Sequence, residues 1–246
     1  MIPLSDDNPT LRTPVVTILL LIIMGAVWIF VQGAGLDDRA LAASVCDLGL
    51  VAGEITHKAK LGTAVPIGDG LACVVDAEPI NYLTPITSMF LHGSWMHILG
   101  NGLFFWVFGN NVEDRMGRIR FVFFYLLCGL VAAASQVALD PASPVPIVGA
   151  SGAISGVMGA YLVLFPRARV NMLFILFIFI RIIPVPAWLV LLYWFGLQVI
   201  SALPQLTGVH TTAESGVAVM AHVGGFLCGA LLIKLFENKR LAPAHY

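Results

Sequence analysis

Ser151, in Gly149-Ala150-Ser151-Gly152, and His222, in Ala221-His222-Val223-Gly224-Gly225, are the side chains of this sequence best suited to bond-making chemistry. A serine hydroxyl becomes a competent nucleophile when a neighbouring base takes its proton, and histidine is the commonest such base. Both residues lie inside long apolar runs. A serine costs little to bury, whereas an imidazole in a segment of hydrocarbon length is costly and marks a functional site by default. The pair reads as a nucleophile and its base held within a bilayer.

Two more polar groups share their depth. His97 and Asn101 stand at i, i+4, so both project from one face of a helix. His222 lies six residues beyond Gly216, roughly 9 Å below the start of the last apolar run at 1.5 Å per residue. Ser151 falls near the start of its own run. Taken singly, a glycine-flanked serine in a membrane helix is most often a packing residue, and G-x-S-G is a weak motif. Four polar groups from three spans at one depth call for a shared water-filled pocket.

The elements that must carry these groups are membrane helices. Hydrophobic residues make up 59% of the 246 residues and charged residues 11%, against about 25% charged in an ordinary soluble domain. The mean hydropathy is +0.91. A helix needs about 20 apolar residues to cross the hydrocarbon, and six runs qualify. They are centred on Val15 to Val31, Trp95 to Val112, Phe121 to Leu139, Ile147 to Phe165, Pro186 to Leu203 and Gly216 to Ile233. Val170 to Val185 is short and broken by Arg181, Pro184 and Pro186, so it is expected to lie at the interface. The fold class is therefore all-α, a polytopic six-helix bundle. Residues 1–13 form a short cytoplasmic N-terminus, 14–236 the six-span domain with an external loop at about 33–79, and 237–246 a cytoplasmic tail.

Lys and Arg placement sets the orientation. With the N-terminus inside, only Arg39, Lys58 and Lys60 of the 13 basic residues fall outside. Both termini are expected in the cytoplasm. Pro14 to Val31 exceeds the apolar core of a secretory leader, and Asp6 and Asp7 spoil its basic start, so no cleavable leader is expected. A prokaryotic plasma membrane is the simplest home. The external loop is expected to hold short helices, and its Cys46 and Cys73 face an oxidising side that permits a disulfide, a pairing left open. Cys128 and Cys228 read as small buried thiols. Pro204 to Ser215 is polar enough to serve as a movable lid. No basic patch suggests nucleic acid.

Small residues provide the close approach. Gly152, Gly156 and Gly159 form one stripe. Ala218, His222, Gly225 and Gly229 form another, at i, i+4, i+7 and i+11. Such stripes let helix backbones meet in a membrane, and the second contains the histidine. Packing one against the other aims His222 at Ser151.

The string His92-Gly93-Ser94-Trp95-Met96-His97-Ile98-Leu99-Gly100-Asn101, followed by the Ser151 and His222 motifs, resembles the rhomboid family of intramembrane serine proteases. The likeness runs from about Tyr82 to Phe236. Glu113-Asp114-Arg115 is similar to the family's E-x-R element, and Gly225 to Gly229 to its G-x-x-x-G. The resemblance implies Ser151 as nucleophile and His222 as general base in a dyad without a carboxylate. It implies His97, Asn101 and the Ser151 backbone N–H as oxyanion donors, and transmembrane segments of other proteins as substrates. No metal or cofactor is implied. Two positions depart from the pattern. Leu83-Thr84 replaces a Trp-Arg pair, and Ser155 stands where an aromatic residue packs on the histidine. Glu113 and Arg115 are expected to tie helix ends together, and Trp188, Tyr193 and Trp194 to face lipid or to pack. A transporter would line a path with intramembrane charges, and a non-catalytic relative would lack the serine or the histidine.

Overall fold

The structure is a computed structural model that describes residues 2–68, 70–76, 80–176, 179–206, 218–238 and 241. Strand β1 (Ile2–Asp6) precedes helix α1 (Val15–Ala26), whose apolar run continues as a π-helical stretch, Val27–Val31. The segment that follows holds α2 (Asp38–Leu48), β2 (Leu50–Val51), α3 (Ala52–Ile55), β3 (Ala64–Gly68), β4 (Leu71–Val74) and α4 (Thr84–Thr87). Then come α5 (Trp95–Met116), α6 (Arg118–Leu139), β5 (Pro146–Ile147) and α7 (Ser151–Leu164). The chain closes with β6 (Arg169–Leu176), β7 (Phe179–Pro186), α8 (Ala187–Leu206) and α9 (Val219–Phe236).

Each of the six apolar runs coincides with one helix: α1, α5, α6, α7, α8 and α9. Among the described residues, α6, Ala187–Pro204 of α8, and α9 are long and apolar enough to cross a membrane. Val15–Val31 and Ser151–Leu164 are shorter apolar helices.

The helical reading omits three small antiparallel sheets. Val170 to Val185, expected to lie at the interface, forms the paired strands β6 and β7, and β1 adds to β6 with Ile2 opposite Leu173. The β-branched composition of this stretch, with Pro184 near its end and Pro186 just beyond, suits strands better than helix. The external segment carries the β3–β4 hairpin as well as short helices, and the Cys46–Cys73 disulfide fastens α2 to β4. Cys128 and Cys228 are free and buried. A third pairing, Leu50 with Ile147 and Val51 with Pro146, clamps this segment to the strand just ahead of Ser151. Of the expected lid, residues 207–215 lie outside the described residues.

Glycine decides how the bundle closes. A Cβ on Gly225 would stand 2.1 Å from the Gly152 carbonyl oxygen, and one on Gly229 only 1.8 Å from that of Gly156. A Cβ on Gly159 would meet the Phe226 oxygen at 2.1 Å. The backbones of α7 and α9 are therefore in direct contact, which no larger side chain permits. Gly117, at φ +79°, turns α5 into α6 in one residue through a conformation that L side chains avoid. Beneath the site, Phe105, Phe108, Phe121, Phe124, Tyr125 and Tyr161 form a fully buried aromatic core.

Candidate active site

Helices α5, α7 and α9 all start at the same end of the bundle, and each brings its polar residue within its first two turns. Ser94 caps α5 by accepting from the His97 N–H, which sets His97 and Asn101 one turn apart. Gly149, at φ +126°, turns the chain from β5 into α7. The Gln136 amide oxygen of α6 accepts from the Met220 and Ala221 N–H groups at 3.1 and 3.3 Å. A side chain of a neighbouring helix thus satisfies the open donors at the start of α9 and holds that end in place.

This arrangement brings the four candidate residues around one cavity of about 670 Å³. His222 Nε2 lies 2.8 Å from Ser151 Oγ. His222 is buried, with 9% of its surface exposed, so few waters compete for the contact. Its other nitrogen, Nδ1, lies 2.8 Å from Gln198 Oε1 on α8. The Trp194 ring, one turn earlier on α8, tilts against the imidazole with centroids 5.8 Å apart. Ser155 is buried and donates to the Ser151 carbonyl at 2.6 Å.

His97 points its Nε2 at the same place. Its Nδ1 accepts from the Gly93 N–H at 3.3 Å, so in the neutral ring the proton sits on Nε2. That Nε2 is the atom closest to where a Gly149 Cβ would stand, at 2.6 Å. Asn101 is buried, and its Nδ2 has no partner among the described residues. Helix α7 opens at Ser151 with no side-chain cap, and the first N–H groups of a helix have no intrahelical acceptor. Among the described residues, three donors are thus in place to serve an oxygen that enters the cavity.

A support runs behind His97. Gln32 Nε2 donates to the His92 carbonyl and Gln32 Oε1 accepts the His92 N–H, each at 2.8 Å. The His92 ring, thus fixed, packs edge-on against His97 at 5.1 Å. Burial, and then the neighbouring His97, push the His92 pKa down to about 4, so this buttress is neutral at physiological pH.

The other residues singled out from sequence lie elsewhere. Glu113 accepts from the N–H groups of Val16 and Thr17 and from the Thr17 hydroxyl, which fixes the start of α1. Arg115 pairs with Glu237 beyond α9. Trp188 and Tyr193 are exposed, at 46% and 52%, whereas Trp194 packs on the histidine. Sequence reading did not single out Gln32, Gln136 or Gln198. The available signal was an amide inside or beside an apolar helix, where an unpaired polar group is expensive.

A family model described as the rhomboid domain matches residues 81–239. YdcA of Bacillus subtilis is 35% identical over 77 residues, 31% of this chain and 38% of its own length. The rhomboid protease GluP of the same organism is 37% identical over 89 residues, 36% of this chain and 16% of its own. Rhomboid protein 1, mitochondrial, of Saccharomyces cerevisiae is 32% identical over 161 residues, 63% of this chain and 43% of its own. The chain therefore spans less than half the length of each of these relatives.

Proposed function

This chain belongs to the rhomboid family, and from that premise we propose that it is an intramembrane serine endopeptidase that cleaves transmembrane segments of other proteins with a Ser151–His222 dyad. The observation that carries the proposal is the 2.8 Å contact between Ser151 Oγ and His222 Nε2 at the wall of a cavity. His97, Asn101 and the start of α7 supply hydrogen-bond donors to the same cavity.

In this reading Ser151 Oγ bonds to the scissile carbonyl carbon as its proton passes to His222 Nε2. The carbonyl oxygen becomes an oxyanion and accepts hydrogen bonds from His97 Nε2, Asn101 Nδ2 and the Ser151 N–H. Each donor aimed at that charge is worth about 3–4 kcal/mol of barrier. The imidazolium then protonates the leaving amine as the C–N bond breaks, leaving an acyl-Ser151. A water attacks this ester, passes its proton through His222 to Ser151 Oγ and frees the new carboxyl end. The substrate must arrive with a locally unwound stretch, because a hydrogen-bonded helix shields its carbonyls.

The same reading takes α1, α5, α6, α7, α8 and α9 as crossings of a prokaryotic plasma membrane, with both termini cytoplasmic and the cavity in the outer half. Incubation of the purified protein in proteoliposomes with a single-span substrate tests it. Cleavage is expected for the parent and none for Ser151→Ala. Equal cleavage by Ser151→Ala would end the protease assignment, and full activity in His222→Ala would end the dyad.

A further inference from the structure

A base that must accept a proton at Nε2 needs its own proton on Nδ1, and something must hold that tautomer. Ser155 leaves no aromatic ring on α7 to fix the imidazole, and sequence offers no carboxylate in the apolar spans near it. Among the described residues, the hydrogen-bond partner of Nδ1 is Gln198 Oε1, at 2.8 Å. An amide oxygen only accepts, so Nδ1 donates to it, and Nε2 is left with its lone pair toward Ser151 Oγ. Gln198 stands one helical turn after Trp194, so α8 presents an acceptor and an aromatic face together to the same ring.

The geometry points to Gln198 as the positioning residue of the dyad, an uncharged third member that fixes the tautomer and rotation of His222 from α8. The proposal rests on the protease reading above. An amide and a carboxylate differ in this seat. Both hold the Nδ1 proton, but a carboxylate stabilises the imidazolium that forms when Ser151 gives up its proton far more than an uncharged amide does. The contact also makes the orientation of the base depend on where α8 sits, because neither α7 nor α9 supplies the acceptor.

Three variants test this in proteoliposomes with a single-span substrate and with a fluorophosphonate probe that labels an activated serine. Gln198→Leu removes the acceptor and keeps most of the bulk. Its kcat is expected to fall on the order of tenfold to a hundredfold, less than the roughly 10²–10⁴-fold that an acid–base group itself contributes, because Gln198 only positions the base. KM is expected to stay within about twofold, because the contact is to the base and not to substrate. Probe labelling should slow in parallel. Gln198→Glu restores an acceptor and adds charge, so it should recover kcat and move the acid limb of the pH–rate profile to higher pH. A structural role would move neither that limb nor the split between kcat and KM. Parental kcat and probe labelling in Gln198→Leu would overturn the proposal. So would a Gln198→Glu variant as slow as Gln198→Leu with its acid limb unmoved. Should Gln198→Leu fail to fold, Gln198→Glu alone decides by its acid limb. Ser151→Ala, run alongside, separates the two readings: cleavage that survives it removes the protease assignment, whatever the Gln198 variants do.

Discussion

Ser151 and Tyr161 lie on the same helix, α7, at opposite ends of the bundle, and their surroundings differ in kind. At the Tyr161 end most polar groups are tied, with Asn8 Nδ2 and Arg115 Nε the exceptions among the described residues. The Tyr161 hydroxyl donates to Asp6, which also accepts from Asn111 Nδ2 at 2.8 Å. Asp7 accepts the Arg169 N–H at 2.7 Å, Glu113 accepts three bonds, Arg12 meets Asp114 at 3.1 Å, and Arg115 pairs with Glu237. At the Ser151 end the helices open onto a cavity, Asn101 Nδ2 has no partner among the described residues, and the first turn of α7 has no side-chain cap. Unpaired buried donors cost stability, and native folds retain few of them without a use. The two ends divide the labour. One end fastens the helices to one another, and the other spends hydrogen-bonding capacity on something that must come and go.

That division predicts that variants at the cavity end alter rate without stability, and variants at the tied end alter stability without rate. The largest effect is expected for His222→Ala, which should lower kcat by about 10²–10⁴-fold with an unchanged melting transition. Asn101→Ala should cost about 10²–10³-fold in kcat, the usual penalty for one oxyanion donor. If either variant lowers the melting temperature as far as a tied-end variant does, the comparison breaks. Glu113→Ala should cost roughly 3 kcal/mol of stability, since it strands buried donors at the start of α1. Its kcat per folded molecule should match the parent.

The smallest effect is a pH dependence at the tied end. Burial, only partly offset by the Tyr161 hydrogen bond, raises the Asp6 pKa from 3.8 to about 6. The folded state therefore holds this proton more tightly than the unfolded chain. Its contribution to stability is greatest below about pH 4 and is lost as pH rises through about 6. Melting curves across that window should fall less steeply for Asp6→Asn than for the parent. Curves that coincide would mean that the Asp6 proton is not coupled to folding.

The long helices were legible because apolar length is local. Phe121 to Leu139 reads directly as α6, and Trp95 to Val112 as most of α5. The glycine stripes foretold the α7–α9 contact, since small residues at helical spacing have few other uses in a membrane. The strands were not legible. Ile2 to Asp6 gives no strand signal of its own and becomes one because β6 offers an edge to pair with. Val170 to Val185 carries charge and proline that argue against a crossing; β6 and β7 pair with each other there, and the third strand, β1, comes from another part of the chain. Cys46 and Cys73 were candidates for a disulfide, and the fold of α2 against β4 joins them.

What the sequence alone determined is the inventory and its depth. It placed Ser151, His97, Asn101 and His222 in apolar helices near one end, because the cost of burying polar groups in lipid is set residue by residue. What only the tertiary structure decided is who touches whom. Gln136 seating α9, Gln32 fixing His92, and Gln198 meeting His222 Nδ1 each join residues from different elements. A hydrogen bond depends on distances of a few tenths of an ångström between helices, and no spacing along the chain encodes them.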